Sequence, residues 1–585
     1  MTLALDRSPA AESDQSTTMP APTRRTWLPW AIMALALVLF ISSVGSIRGA
    51  ASVKSQWGLI GTASPLWILS FLCAALAFAV SVRHGNVKAV WAATVVVGIT
   101  NHLPRAIAND VPMYAWTYKH VGLADYIQQT HSLAHGVDIY QGWPSSFALS
   151  AWFAELTGVP VMDYAAWFIP GFHILFGFMV YGAARVWDLS SLVAAAATFM
   201  AVSLNWVQQD YFSPQATVML MLPGIFIVLG LSRNRPVGSM LLVILFATAA
   251  ITHQLTPFWL FGAIGLLTIT RNFHPWWLVI PLGAILVCQL IYNWDEVSRY
   301  QLFSGDILDN AKSNITRYGV EPVLGQRIVS YGNKALAGGL WLSTGLVIVY
   351  RMWKRQPFWA AAVLALSPML LLGGQSYGGE AIFRVYLYSV IGCCFVLAPV
   401  VVALLQAGVR TYIASTGVIL FGVTAALNSE TAAWYAYIMP KAQVEESMQV
   451  MSQAELPAYL TSAAPTWPER SSWRYVDYAT FSPDYDVPMV TVPNLARRTF
   501  DNDEDYRVFL EALSTRPDAS TYLIITDQTQ FYTWYFGILP WEALPNLKQY
   551  LRRDTERWEP FYEGEGVSVF VHRVEPAPMP MDPPG

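Results

Sequence analysis

Leu28-Pro29-Trp30-Ala31-Ile32-Met33-Ala34-Leu35-Ala36-Leu37-Val38-Leu39-Phe40-Ile41-Ser42-Ser43-Val44-Gly45 contains no ionisable side chain and follows the pair Arg24-Arg25. About 20 apolar residues carry a helix across a bilayer, so this stretch reads as a membrane span. Twelve further runs read the same way: 65–82, 88–104, 164–184, 189–206, 214–232, 237–253, 256–270, 276–293, 336–350, 357–374, 382–405 and 411–428. The fold class expected is a polytopic α-helical membrane protein of about 13 transmembrane helices. A secretory signal at 28–45 is the alternative, but the polar lead 1–26 is long and no A-x-A cleavage site follows, which favours an anchor.

The composition agrees. Of 585 residues, 54% are hydrophobic and only 13% charged, about half the charge of a soluble domain. That excludes a disordered chain, a basic nucleic-acid binder and an ordinary cytosolic enzyme. The 24 Trp and 28 Tyr suit many membrane–water boundaries. Acidic side chains outnumber basic ones about two to one in residues 430–585, whereas the preceding chain is net basic. The domains expected are a disordered tail (1–26), a transmembrane body (27–429) with a long loop at 105–163, and a water-soluble α/β domain (430–585). The four cysteines lie in apolar runs and offer no disulfide framework or zinc spacing.

The positive-inside rule orients the chain. With the N-terminus in the cytoplasm, one side of the membrane receives Arg83, Lys88, Arg185, Arg233, Arg235, Arg271, Arg351, Lys354, Arg355 and Arg410. An odd number of spans then places 430–585 outside the cell. The location expected is the plasma membrane.

That topology collects the chemically interesting segments on the outer face. The loop 105–163 holds Asp110, Lys119, His120, Asp125, Asp138, Tyr140 and Trp143. The next outer connections hold Asp210, Tyr211 and Gln215, then His253 and Gln254. Segment 294–335 adds Asp295, Glu296, Arg299, Asp306, Asp309, Arg317 and Arg327, and 375–380 ends in Glu380, four residues before Arg384. Polar and ionisable groups at membrane depth default to a functional reading, so one extracytoplasmic cavity is expected. Residues 113–127 carry apolar positions at helical spacing and read as an amphipathic surface helix. Ser213-Pro214 reads as a helix start. Arg384 reads as an ion pair with Glu380 or as a phosphate fork. His131 and His135 lack a third metal ligand, and Asp501-Asn502-Asp503 reads as a solvated loop.

The runs Tyr114-Ala115-Trp116-Thr117-Tyr118-Lys119-His120-Val121-Gly122, Asp138-Ile139-Tyr140, Trp143-Pro144 and Tyr211-Phe212-Ser213-Pro214-Gln215 are similar to actinobacterial members of the GT-C superfamily of membrane glycosyltransferases. The resemblance extends over roughly 88–430, with the first two spans as an addition. It implies transfer of a sugar, hexose or pentose, from a polyprenyl-phosphate donor to a cell-envelope glycan, glycolipid or protein acceptor, and no nucleic-acid partner. A carboxylate would act as general base, with Asp125 first and Asp110 as rival, since Asp110 begins a D-x-x-x-Y stretch. Lys119, His120 and Arg384 would hold the donor phosphate. Asp138, Tyr140, Trp143, Asp210, Tyr211, Gln215, His253 and Gln254 would contact substrate. Such enzymes work with or without a divalent cation (Mg or Mn), and the sequence leaves that open. A lipid-linked polysaccharide polymerase or ligase is the alternative, resting on Arg299, Arg317 and Arg327. A glycan transporter is a third reading, disfavoured by few mid-span charges and no internal repeat.

Overall fold

In a computed structural model, residues 27–232, 238–298, 321–374, 380–491, 494–513 and 518–574 are described. The expected tail 1–26, Arg233, Arg235, Arg299, Asp306, Asp309, Arg317 and residues 375–379 lie outside them.

Each of the thirteen apolar runs coincides with helix, but the helices differ in reach. Among the described residues seven are long and apolar enough to cross a membrane: Leu28–Ser52, Pro65–Arg83, Phe168–Val186, Pro214–Ser232, Leu324–Trp353, Ala381–Gln406 and Val409–Thr431. The others stop short for local reasons. The 237–270 stretch divides into Ser239–Ala250 and Thr256–Ile269, broken at His253-Gln254 with Pro257 opening the second helix. Trp359–Leu366 passes at Ser367-Pro368 into a tighter 3-10 turn running to Gly373.

Apolar side chains point both inward and outward. Leu35, Val38 and Ile41, three residues apart, are exposed on the first helix, as are Ile174, Leu175 and Phe178 on Phe168–Val186. Outward-facing apolar rows of this kind suit lipid tails as solvent. Inside the bundle, small residues set the spacing. Ala194–Ala197 are fully buried where Ser191–Ser203 meets Ala381–Gln406, the contact small residues allow. At Gly392 a Cβ would lie 2.2 Å from the Leu364 carbonyl oxygen, so that neighbour also packs backbone to backbone.

The C-terminal part forms a four-stranded mixed sheet in the order β1-β2-β4-β3, with β1 Ala458–Ser462, β2 Ser520–Thr526, β3 Glu559–Gly564 and β4 Val567–His572. β1 runs parallel to β2, with Leu460 opposite Tyr522, and β4 runs antiparallel to β2, with Phe570 opposite Leu523. All seven residues of β2 are buried, as expected of a strand covered on both faces. Leu523, Ile525 and Phe570 pack on Phe509, Leu544, Leu547 and Leu551.

The opposite face has a different partner. Tyr522, Ile524, Val567, Val569 and Val571 share one core with Val121, Leu123, Ala124, Phe147, Val161 and Phe212 from the transmembrane half of the chain. The amphipathic segment forms helix Ala115–Thr130, and its apolar face seats on the C-terminal part. Gly122 marks the closest approach: a Cβ there would lie 2.1 Å from the Arg470 carbonyl oxygen. The acidic terminal region is therefore fused to the first long loop rather than tethered to it.

Candidate active site

Two polar constellations stand out. One is a cavity of about 1540 Å3 where the ends of several helices meet the long loop and the C-terminal part. The other is a buried charge cluster behind its wall.

The sequence-derived candidates His120, Tyr140, Trp143, Tyr211, Gln215, His253, Gln254 and Arg384 all line the large cavity. They come from four segments between residues 120 and 384. Tyr140 is presented by the turn Ile139–Gly142, which Asp138 caps by accepting from the backbone N–H groups of Tyr140 at 2.8 Å and Gln141 at 3.3 Å. Tyr211 and Gln215 flank the start of Pro214–Ser232, where Ser213 Oγ accepts the Ala216 N–H at 3.1 Å, the expected cap. Ring centroids of His120 lie 5.2 Å from Tyr140 and 5.9 Å from Tyr211. Tyr437, Tyr532, Tyr535 and Phe536 close the cavity from the C-terminal side.

The two histidines differ in what they offer. His120 Nδ1 lies 3.0 Å from the Phe212 carbonyl oxygen. A carbonyl only accepts, so the ring proton sits on Nδ1 and Nε2 keeps its lone pair. Burial lowers the His120 pKa to about 3, so the ring is neutral near pH 7. In this state His120, expected to hold the donor phosphate, presents Nε2 to the cavity as a hydrogen-bond acceptor. In His253, Nδ1 accepts the Thr256 backbone N–H at 3.2 Å, leaving the proton of the neutral ring on Nε2.

Arg384 sits one turn into helix Ala381–Gln406, 3.2 Å from the Glu380 carboxylate. Its side chain is 12% exposed and that of Glu380 45%. Among the described lining residues Glu380 is the one carboxylate, and Arg384 and Lys334 carry the positive charge. The Glu380 carboxylate reaches Tyr140, Tyr211 and Tyr437 electrostatically: burial raises all three phenols, Tyr140 to about 12, and the Glu380 charge adds to each rise.

Other candidates are committed elsewhere. Lys119 pairs with Asp486 at 3.1 Å and lies over the Trp116 ring, which ties it to the C-terminal part rather than to the cavity. Asp138 accepts from Arg470 at 3.1 Å, and Arg470 also binds Asp486. Asp125 accepts the Trp473 N–H at 2.9 Å and lines a separate 350 Å3 pocket. Asp110 is exposed, its own N–H bound to Asn109. Neither carboxylate lines the large cavity. Arg327 pairs with Glu321 at the surface.

The buried cluster comprises His102, Arg105, His173, Asp210 and Glu430. Arg105 grips Asp210 through both carboxylate oxygens, at 2.8 and 2.7 Å, and also contacts Glu430. His173 Nε2 donates to Asp210 Oδ2 at 2.7 Å, and the rings of His102 and His173 stack 3.3 Å apart. Burial alone would raise the Asp210 carboxyl, but Arg105 and His173 outweigh it and hold the group well below the usual carboxylate range. Asp210, a substrate-contact candidate in the sequence, is buried as the anchor of this cluster, with Gln209 and Tyr211 beside it on the cavity wall.

His102, His173, Asp210 and Glu430 bring their donor atoms within 4.8 Å of one another, a metal-like set. The Arg105 guanidinium already stands among them, with Nη2 2.9 Å from His102 Nδ1 and 2.7 Å from Asp210 Oδ2. These residues hold a fixed side-chain cation and do not fit a resident Mg or Mn. Sequence reading missed His102, Arg105, His173 and Glu430. The available signal was their position at the edges of, or inside, apolar runs, where charge is costly.

No protein-family model matches the sequence, and no curated protein matches it. Among solved structures, ArnT from Cupriavidus metallidurans bound to undecaprenyl phosphate is similar at 13% identity and a TM-score of 0.39, over 84% of this chain and 97% of that one. ArnT from Cupriavidus metallidurans in the apo state gives the same identity and TM-score over 78% and 93%.

Proposed function

We propose that the chain is a GT-C-type membrane glycosyltransferase that takes a sugar from a polyprenyl-phosphate donor and works in the 1540 Å3 cavity. The observation that carries this reading is convergence. The motifs that resemble the superfamily are far apart in sequence, yet His120, Tyr140, Trp143, Tyr211 and Gln215 line one cavity together with Arg384. Arg384 supplies the forked cation suited to a phosphate. The tyrosines supply faces and hydroxyls suited to sugar rings.

A glycosyl phosphate brings its own leaving group, so the protein's tasks are to take up charge on the departing phosphate and a proton from the acceptor hydroxyl. Arg384 and Lys334 serve the first task. The membrane orientation that accompanies this reading has the N-terminus in the cytoplasm and residues 430–585 outside, so the acceptor is a cell-envelope glycan, glycolipid or protein. The test is turnover by the full chain in lipid nanodiscs, supplied with synthetic undecaprenyl-phosphate hexoses and pentoses and a cell-envelope extract as acceptor source. Release of undecaprenyl phosphate with labelled acceptor supports the reading. Transbilayer movement of the lipid-linked sugar without bond cleavage overturns it in favour of transport.

A further inference from the structure

A glycosyltransferase needs a proton acceptor beside the attacking hydroxyl, within hydrogen-bond reach. The described carboxylates of the long loop and the buried clusters are poor candidates. Asp125 and Asp110 lie outside the cavity. Asp138, Asp486, Asp210 and Glu430 also stand off the cavity wall, almost fully buried against Arg470 or Arg105. His120, though on the wall, is far too weak a base once burial has lowered its pKa.

We propose that Glu380 is the general base of the transfer, working as a unit with Arg384 one helical turn away. This rests on the reading of the cavity given above and deepens it. Glu380 is the one carboxylate among the described residues of the cavity wall, its side chain is open to the interior, and it lies 3.2 Å from the Arg384 guanidinium. Tyr140, Tyr211 and Tyr437, from three different segments, all feel its charge. A substrate held among those rings is therefore held near the carboxylate.

The step balances as follows. Glu380 accepts the proton of the acceptor hydroxyl as that oxygen bonds to the anomeric carbon. The bond from that carbon to the phosphate oxygen breaks, and its electron pair leaves with the polyprenyl phosphate. Arg384 takes up the new charge. The products are the glycoside, polyprenyl phosphate and a protonated Glu380, which returns its proton to solvent.

The pairing also orders the events. Before substrate arrives, Arg384 holds Glu380 in an ion pair at 3.2 Å. A donor phosphate competes for the guanidinium, which releases the carboxylate to face the acceptor hydroxyl. Donor binding thus arms the base.

The test compares wild type, Glu380→Gln and Glu380→Asp as full-length protein in nanodiscs, with undecaprenyl phosphate binding followed by tryptophan quenching and turnover by undecaprenyl phosphate release from the synthetic donors. Glu380→Gln should bind undecaprenyl phosphate at least as well as wild type yet turn over about 100-fold or more slower. Glu380→Asp, which keeps the charge, should retain more activity than Gln together with the acid limb of the pH–rate profile. A packing role predicts the reverse order, because Gln is the closer match in shape. Turnover by Glu380→Gln equal to or above that of Glu380→Asp overturns the proposal while leaving the transferase reading intact. Absence of turnover in wild type with every donor overturns both.

Discussion

The Arg105 guanidinium meets the Asp210 carboxylate as two parallel hydrogen bonds, Nη1 to Oδ1 at 2.8 Å and Nη2 to Oδ2 at 2.7 Å, with both side chains almost fully buried. Such a forked pair fixes orientation as well as charge. It joins the end of the third apolar run to the loop that carries Tyr211, and through Glu430 to the end of the last long helix. One cation thereby holds three segments in register behind the cavity wall.

Removing that cation leaves two buried anions facing only histidines, His173 at Asp210 and His102 at Glu430. Arg105→Met should destabilise the protein by about 3–5 kcal/mol, the range seen when one side of a buried pair is deleted. Thermal unfolding in detergent, followed by tryptophan fluorescence, measures it. Arg105→Lys should recover part of the loss, since charge returns but the fork does not. A melting temperature unchanged in Arg105→Met would show that the cluster does not hold the segments together.

Arg384→Gln should weaken undecaprenyl phosphate binding by about 10-fold or more, in line with the loss of a charge-assisted contact. Arg384→Lys should fall between the two. Quenching titrations at low and high salt check this, and the wild-type affinity should drop as salt rises. Equal affinity in wild type and Arg384→Gln would place the phosphate elsewhere.

Stability should depend on pH through Glu469. Burial pushes its carboxyl up to about 8; Lys119 opposes the rise and Asp486 adds to it. Arg470 and Tyr485 line the same cluster, and Ser462 donates to Glu469 at 3.0 Å. The folded chain keeps a proton that the unfolded chain releases above its ordinary carboxylate value, so stability falls as pH rises from about 4.5 towards 8 and levels off beyond. Melting temperatures taken at pH 5, 6.5 and 8 should decline in wild type and flatten in Glu469→Gln. An identical slope in the variant would remove Glu469 as the cause.

Gly122→Val should separate the long loop from the C-terminal part. With the Arg470 carbonyl oxygen 2.1 Å from the position of a Cβ, the helix must move, and forced overpacking costs about 1–3 kcal/mol. Limited proteolysis should then cut near 105–163 faster than in wild type. Gly98→Val, where a Cβ meets nothing within 4 Å, serves as the control.

Hydrophobic run length made the helical class, the thirteen apolar segments and the strands near 521–526 and 567–571 readable from sequence alone. The side chains that line the cavity were readable where they sat in polar connections, as with His120, Tyr211 and Gln254, or as a lone charge at the edge of a span, as with Arg384. Charge pairing was not readable, because it depends on which distant segments meet. Lys119 and Asp138 looked available in a loop, yet they face Asp486 and Arg470 from residues more than three hundred positions later. Arg105 and Glu430 stand just past the apolar runs 88–104 and 411–428, unremarked in the sequence, and their meeting across the bundle makes them a core. The carboxylates divide in the same way: Asp125, the sequence's first choice of base, lines a separate pocket, whereas Glu380, the N-cap of helix Ala381–Gln406, stands on the cavity wall.

The shared core of Val121, Leu123 and Phe147 with Tyr522, Ile524 and Val569 sets a schedule for biogenesis. When a ribosome has finished the first long loop, its apolar face lacks its full cover until the final strand emerges, some four hundred residues later. At synthesis rates of about 5–20 residues per second, that interval is roughly 20–80 seconds. During it the loop must be shielded by a folding helper or by the membrane surface, and truncation anywhere before the last strand leaves a sticky, degradable product instead of a working half.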